Sequence, residues 1–371
     1  MSDSLAAFRA NFPSLERFSW FDTPGSPPGA KPVMDALRLA LDSWERGDFS
    51  WTEWDETPDL ARGKLATLLG VDQRQIALVS SLSEAAATIA GSVPVPGKVV
   101  VASDEFRSNL LPWLALQERG VEVISPEVGP TESLTERICD SIVEGVSLVA
   151  VSSAVTSTGA RPDLEAITRR ARSVGARTFI NVTQTFGVLA FDAQKLEADY
   201  VAAHAYKWML APRGCAWLYV RPGLLSGLRP IAPGWHSVDN PNQDYNGAKP
   251  LSYEARRLDG ALPWLPWIGG NAALDLLLPL DSDRVQAHAL DLARTVRAGL
   301  AELGVATEGV DQPSHIVRMY SSRSSEILRQ LRSDDVVASG NAQGLRIGIH
   351  GFNTLTDIER FLASVGRVVR S

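Results

Sequence analysis

Six short apolar runs spaced through the middle of this chain constrain its fold more than any other feature. They are Val99–Ala102, Val121–Ile124, Ser147–Val151, Arg177–Ile180, Tyr200–Ala203 and Ala216–Val220. Runs of four or five residues bounded by polar or glycine-containing segments read as strands, and near-continuous apolarity means burial on both faces. Amphipathic stretches such as Ser108–Glu118 and Asp163–Val174 lie between several of them. Strands alternating with helices predict an α/β fold, a mostly parallel sheet sandwiched by helices. The Pro-, Gly- and Asn-rich stretch Pro230–Pro250 interrupts this pattern. After it come a helical run from Gly269 to Leu303, strand candidates His315–Met319 and Leu345–Ile349, and a closing helix, Thr354–Val369. That helix places Leu355, Ile358, Phe361, Leu362, Val365 and Val368 on one stripe. The expected organisation is a large domain over residues 15–268 and a small α/β domain over 269–371, with residues 1–14 packing on the latter.

A chain of 371 residues can bury two cores of this kind. Its net charge of −7 and the lack of any Lys/Arg-rich run argue against nucleic acid as a partner. The longest apolar stretches, such as Leu276–Leu280, fall far short of the ~20 residues a membrane helix needs, so no membrane partner is expected. Asp3, Arg9, Glu16 and Arg17 leave no apolar segment near the start, so no signal peptide is expected either. Two distant cysteines, Cys139 and Cys215, suit a reducing cytoplasm, and Cys215 in the run Cys215–Val220 reads as a buried structural thiol.

One segment carries chemistry. Lys207 follows the buried run Tyr200–Ala203, is flanked by Tyr206 and Trp208, and precedes the turn Pro212–Gly214. A lysine at the mouth of a core strand is desolvated, which lowers its pKa and makes it a nucleophile. The bland alternative is a surface lysine after a strand. Ser80–Ala85 follows another strand candidate, Gln75–Val79, and opens a helix that Ser83 can cap; such a helix end suits a phosphate. Gly344-Leu-Arg346-Ile-Gly-Ile-His350 sets an arginine among small and apolar residues near the end of the chain.

With its neighbours, the Lys207 segment resembles the class V aminotransferase group, the fold-type I branch of pyridoxal-phosphate enzymes that holds cysteine desulfurases, isopenicillin N epimerase-like proteins and kynureninase. The group's pattern is an Asp and a Gln three residues apart on one strand, then an Asp, then a His-Lys-Trp-like box and Pro-x-Gly. Here the positions are Asn181, Gln184, Asp199 and Tyr206-Lys207-Trp208. The resemblance runs from Phe21-Asp22 to beyond Arg346.

It implies a fold-type I transferase whose Lys207 carries pyridoxal 5'-phosphate. Leu82 and Ser83 would meet the phosphate, with His204 and Tyr206 around it, and Phe106 would stack on the ring where relatives carry His. Gln184, with Thr156, would contact the phenolic oxygen. Arg346 would clamp the substrate carboxylate bidentately, a geometry lysine cannot reproduce, while His350 packs or caps. Asn181 departs most. An aspartate there keeps the pyridine nitrogen protonated, whereas an amide supplies no charge and leaves the ring a weaker electron sink. Elimination with a β leaving group tolerates this better than transamination.

Ten tryptophans are many, and Trp51, Trp54, Trp235, Trp264 and Trp267 read as loop residues, with Trp51 and Trp235 walling a substrate pocket. No metal is expected. The resemblance also implies a homodimer, with Ala261–Gly269 as the candidate contact. No cysteine stands in Ser321–Gly344 for a persulfide-forming desulfurase. The expectation is a lyase acting at Cα or Cβ of an amino acid, most of all a cysteine S-conjugate in sulfur-containing natural-product metabolism such as lincosamide-like routes. The alternatives are decarboxylation coupled to oxidative deamination, a class V aminotransferase or epimerase, and a non-catalytic protein of the same fold.

Overall fold

The apolar runs assemble into a single sheet, and it can be followed strand by strand. In the computed structural model, which describes residues 2–129, 132–243, 246–309 and 312–371, the strands are β1 (Ser19–Trp20), β2 (Ile76–Val79), β3 (Lys98–Val101), β4 (Glu122–Ile124), β5 (Val146–Ser152), β6 (Arg177–Asn181), β7 (Tyr200–His204), β8 (Ala216–Val220), β9 (Ile316–Tyr320), β10 (Val336–Val337), β11 (Ser339–Asn341) and β12 (Gly344–Gly348). Seven form the main sheet in the order β2-β8-β7-β6-β5-β3-β4. Pairing is parallel from β7 through to β4, and only β8 runs against its neighbours β2 and β7. The expected mostly parallel sheet is therefore present.

Burial on both faces shows in which core each successive residue joins. Val100, Val149, Val151, Ile180, Val201 and Ala203 belong to one apolar cluster. Their neighbours Val99, Val101, Leu148, Ala150, Phe179 and Ala202 belong to another. The period-2 alternation of a strand divides each run between two helical layers. Asp199 holds the start of β7 in register: it accepts from the Thr178 amide of β6 at 2.9 Å and pairs with Arg177 and Arg221 at 3.2 and 2.6 Å.

A third core joins the faces of helices Ser282–Glu302, Ser324–Ser333 and Leu355–Val369 to a small antiparallel sheet, β11-β12-β9. The junction expected between 268 and 269 falls inside an unbroken helix, Trp264–Leu277, whose Trp267, Ala273, Leu274 and Leu277 pack in the large core. The N-terminal helix Asp3–Arg9 straddles both, with Leu5 in the small core and Phe8 in the large one. Further on, β1 pairs with β10, and the Gly348 amide donates to Phe21 O at 2.8 Å, which brings Asp22 beside β12.

The tryptophan reading needs correction. Trp51 and Trp54 lie on helix Trp51–Leu69, Trp264 and Trp267 on Trp264–Leu277, and Trp235 in a short 3-10 turn. Helix Trp51–Leu69 buries one face, but that face includes Asp55, Pro58 and Arg62 among its apolar residues. Its sequence therefore lacks the clean apolar stripe that marks a surface helix.

Candidate functional site

Because β2 is antiparallel to β8 and β8 to β7, strands β2, β3, β5, β6 and β7 all point the same way. Their carboxyl ends meet at one edge, the place where open α/β sheets bind ligands. Leu82 and Ser83 follow β2, Phe106 follows β3, Thr156 follows β5, Asn181 ends β6 with Gln184 just beyond, and His204 ends β7 three residues before Lys207. Residues scattered over 125 positions of sequence thus converge by topology alone (82 to 207).

Lys207 is only 5% exposed. Burial, with the Arg346 and Arg213 guanidiniums, pushes its amine down to about 7 against the opposing pull of the Asp22 carboxylate. Its Nζ stands 5.4 Å from the centroid of the Phe106 ring and 5.8 Å from that of Tyr206. Phe106 keeps 42% of its surface exposed, an open aromatic face beside the amine. Behind Lys207, Trp208 Nε1 donates to Gln184 Oε1 at 2.8 Å, and Gln184 Nε2 donates to Thr156 Oγ1 at 3.3 Å. His350, fully buried, bonds Trp208 O at 2.9 Å through Nε2, a packing role.

His204 closes the other side. Its Nε2 accepts from the Leu82 amide at 3.2 Å, which assigns the ring proton to Nδ1. Burial, then the Lys207 and Arg213 charges, push the imidazole down to about 4, so it is neutral. The buried Nδ1 has no partner among the described residues. The helix Leu82–Ala90 begins here, and its cap is Ser81, whose hydroxyl accepts from the Glu84 amide at 3.1 Å; Ser83, expected as the cap, sits in the first turn. Tyr206 lies past the strand end, its ring 4.9 Å from His204, with Arg213 5.4 Å over its face.

Asn181 is held on both sides. Its Oδ1 accepts from the Thr183 amide at 3.0 Å and its Nδ2 donates to Ser152 Oγ at 2.7 Å. Ser152 in turn donates to Glu105 at 2.7 Å, and Glu105 also accepts from the Phe106 amide and from Asn109 Nδ2, both at 2.9 Å. Burial pushes the Glu105 carboxyl up. A buried carboxyl group thus stands two hydrogen bonds behind the amide.

Arg346 occupies the middle of β12, the central strand of the small sheet. It donates to Thr156 O at 2.6 Å and stands 3.9 Å from Asp22, while its buried Nε has no partner among the described residues. The cleft in front of it holds about 670 Å³ and is lined by Phe106, Thr156, Arg107, Arg318 and Arg346 among others. Trp51 and Trp235 do not line this cleft. Their rings pack 5.9 Å apart, with Trp264 6.4 Å from Trp51, around Asp55, which pairs with His236 and accepts from Trp264 Nε1. Asp22, Arg213, Ser152, Glu105 and Arg318 were given no role from the sequence. The charged ones flank quoted motifs, but their partners are set by long-range pairing.

This edge fits a flat, phosphate-bearing aldehyde. It offers a buried amine that loses its proton near neutral pH, an open aromatic face beside it, and, at a helix N-terminus where an anion is favoured, an imidazole donor without a partner among the described residues.

Comparison with known proteins agrees. The family model described as "Aminotransferase class-V" matches residues 52–361. An uncharacterized aminotransferase of Bacillus subtilis is 26% identical over 366 residues, 96% of each chain. The isopenicillin N epimerase of Streptomyces clavuligerus is 27% identical over 65% of this chain and 64% of its own. Among solved structures, the cystine C–S lyase C-DES, seen in complex with its reaction product cysteine persulfide, superposes with a TM-score of 0.85 at 19% identity, covering 96% of this chain and 99% of that one. The architecture is that of the fold-type I enzymes. This chain belongs to the class V aminotransferase family, whose cofactor is pyridoxal 5'-phosphate.

Proposed function

We propose that the protein is a pyridoxal 5'-phosphate-dependent C–S β-lyase acting on a cysteine S-conjugate, in the metabolism of a sulfur-containing natural product. The observation that carries the reading is Lys207, a buried amine near pH 7 at the carboxyl edge of the sheet. In this reading Lys207 holds the cofactor, Phe106 covers its ring, and Gln184 and Thr156 flank the oxygen beside the aldehyde. His204 Nδ1, the amides of Leu82 and Ser83, and Tyr206 surround the phosphate. Once bound, the cofactor supplies an electron sink for a bond broken next to the substrate nitrogen.

The protein's own groups do the rest. Arg346 fixes the α-carboxylate so that the breaking bond aligns with the ring, a positioning effect. Lys207 Nζ, tuned close to neutral pH, takes the Cα proton. The C–S bond then breaks with its electron pair leaving on sulfur, and hydrolysis of the remaining fragment gives pyruvate and ammonia. Asn181 favours this outcome over transamination because its amide supplies no charge to the ring. A persulfide-forming desulfurase is disfavoured because the chain's two cysteines are Cys215, fully buried, and Cys139, on helix Leu134–Ser141 of the large domain.

A second reading, epimerisation or transamination, draws on the epimerase and aminotransferase relatives. Incubation with a panel of cysteine S-conjugates, assayed together for pyruvate, ammonia, carbon dioxide, hydrogen peroxide and loss of optical activity, separates the outcomes. Pyruvate and ammonia in equal amounts are expected. Carbon dioxide with hydrogen peroxide would assign decarboxylation coupled to oxidative deamination. Racemised substrate without pyruvate would assign epimerisation, and no turnover of any amino acid would overturn the reading. A homodimer belongs to the same proposal, with Ala261–Gly269 as its candidate contact; Leu41 and Trp44, three residues apart on helix Lys31–Arg46, add exposed apolar surface that a second copy would cover. Sedimentation at assay concentration tests it, and a fully active monomer would refute it.

A further inference from the structure

The small sheet sets a second arginine beside the first. In the β9–β12 pairing Arg318 is the direct partner of Arg346. Residues directly opposite in an antiparallel pair point to the same face. Val317 and Met319, opposite Ile347 and Leu345, fill the small core, whereas Arg318 and Arg346 both line the cleft of about 670 Å³. Two like charges in that relation repel, and nothing in the packing of the sheet requires them.

The two guanidiniums share little acidic compensation: Arg346 has one long ion pair, to Asp22 at 3.9 Å, and Arg318 has none among the described residues. Arg318 is 9% exposed; it donates to the neutral Asn341 Oδ1 at 2.9 Å and lies 5.6 Å over the Tyr320 ring. Among the described residues no carboxylate comes within 4.0 Å of it. Glu308, the nearest acidic influence on it, is itself bonded by the Tyr320 hydroxyl. Among the described residues, Arg346 Nε has no partner and Asp22, at 3.9 Å, is the one carboxylate paired with this guanidinium. Arg107 lines the same cleft.

We infer that Arg318 is a second anion-binding residue, so that the substrate is an amino acid with a further carboxylate, or equivalent anion, on its side chain. The α-carboxylate takes Arg346, and the distal anion takes Arg318, held in place by Asn341 and stacked on Tyr320. An anion between the two strands offsets the repulsion between the paired arginines, and a planar guanidinium offers it two parallel donors. The cleft is far larger than a simple amino acid needs and within the usual range for ligand sites, so it has room for such a side chain.

This inference rests on the assignment of the Lys207 edge as an amino-acid site, and its test does not depend on turnover. Cofactor-loaded protein is titrated with L-glutamate and L-aspartate, and with their singly charged counterparts L-glutamine and L-2-aminobutyrate, following the cofactor's absorbance. The parent should bind the doubly anionic pair about 10- to 100-fold more tightly, the range expected for a charge-assisted hydrogen bond in a partly buried site. Arg318→Gln, which preserves a donor to Asn341, should abolish that preference. Arg318→Lys should restore part of it. Equal affinities in the parent, including no binding of any of the four, would overturn the inference, as would a preference that survives Arg318→Gln. Failure of the C–S lyase reading would appear elsewhere, as absence of pyruvate in the product assay while the binding preference persisted.

Discussion

Replacing Lys207 by methionine should make the cofactor-free protein more stable, and the gain should depend on pH in a calculable way. The amine sits at about 7 in the folded protein against 10.5 for an ordinary lysine, chiefly because of burial. The folded pKa is depressed, so between about pH 7 and 10.5 the unfolded chain binds a proton that the folded one does not, and the folded state loses stability as pH falls through this window. At one pKa unit per 1.36 kcal/mol the penalty comes to about 4 kcal/mol at pH 7 and about 2 kcal/mol at pH 9, and it vanishes above 10.5. Methionine keeps the length of the stem without the charge, so Lys207→Met removes the penalty. Urea unfolding of the two cofactor-free proteins, at one protein concentration and several pH values between 6.5 and 9.5, reads the difference directly. A variant more stable by several kcal/mol at neutral pH, with the advantage shrinking by about 1.4 kcal/mol per pH unit, is expected. Equal midpoints at every pH, or an advantage independent of pH, would refute the claim that the site holds a desolvated amine with a depressed pKa.

Other perturbations follow from the same geometry. Arg346→Lys should raise KM strongly and lower kcat, because a point charge replaces a two-pronged clamp; unchanged steady-state kinetics would exclude Arg346 as the carboxylate anchor. Asn181→Asp places a second carboxylate two hydrogen bonds from buried Glu105, so it should cost about 1–3 kcal/mol at neutral pH, closing as pH falls and both groups protonate, with more side transamination in the loaded enzyme. Unaltered stability and product ratio would place the residue outside the network. Gly348→Ala would set a Cβ 2.3 Å from Pro24 Cδ and 3.1 Å from Trp208. It should push β12 off the Lys207 segment, costing about 1–3 kcal/mol in thermal unfolding and raising KM; parental behaviour would show that the strand can shift freely.

The strands were legible because each is a brief apolar run whose residues alternate between two cores, and Tyr200–Ala203 announced where Lys207 would stand. The site residues on those strand ends could be read from local motifs, since topology brings every carboxyl end to one edge. Helix Trp51–Leu69 was not legible, because Asp55, Pro58 and Arg62 occupy its buried stripe and break the apolar pattern. Ser81 and Ser83 are both competent caps by residue type, and only the backbone turn at Ser81 selects between them. The pairing of Arg318 with Arg346, and the arrival of Asp22 beside them through β1, depend on register between distant segments, which local pattern does not encode.

The measurement that bears most directly on the central claim is covalent trapping. The protein is loaded with pyridoxal 5'-phosphate, reduced with borohydride to fix any cofactor held by an amine, and mapped by peptide mass spectrometry. Lys207 should carry one pyridoxyl phosphate per chain, and Lys207→Ala, still folded, should carry none. Label on another lysine, or full labelling of the alanine variant, would contradict the account.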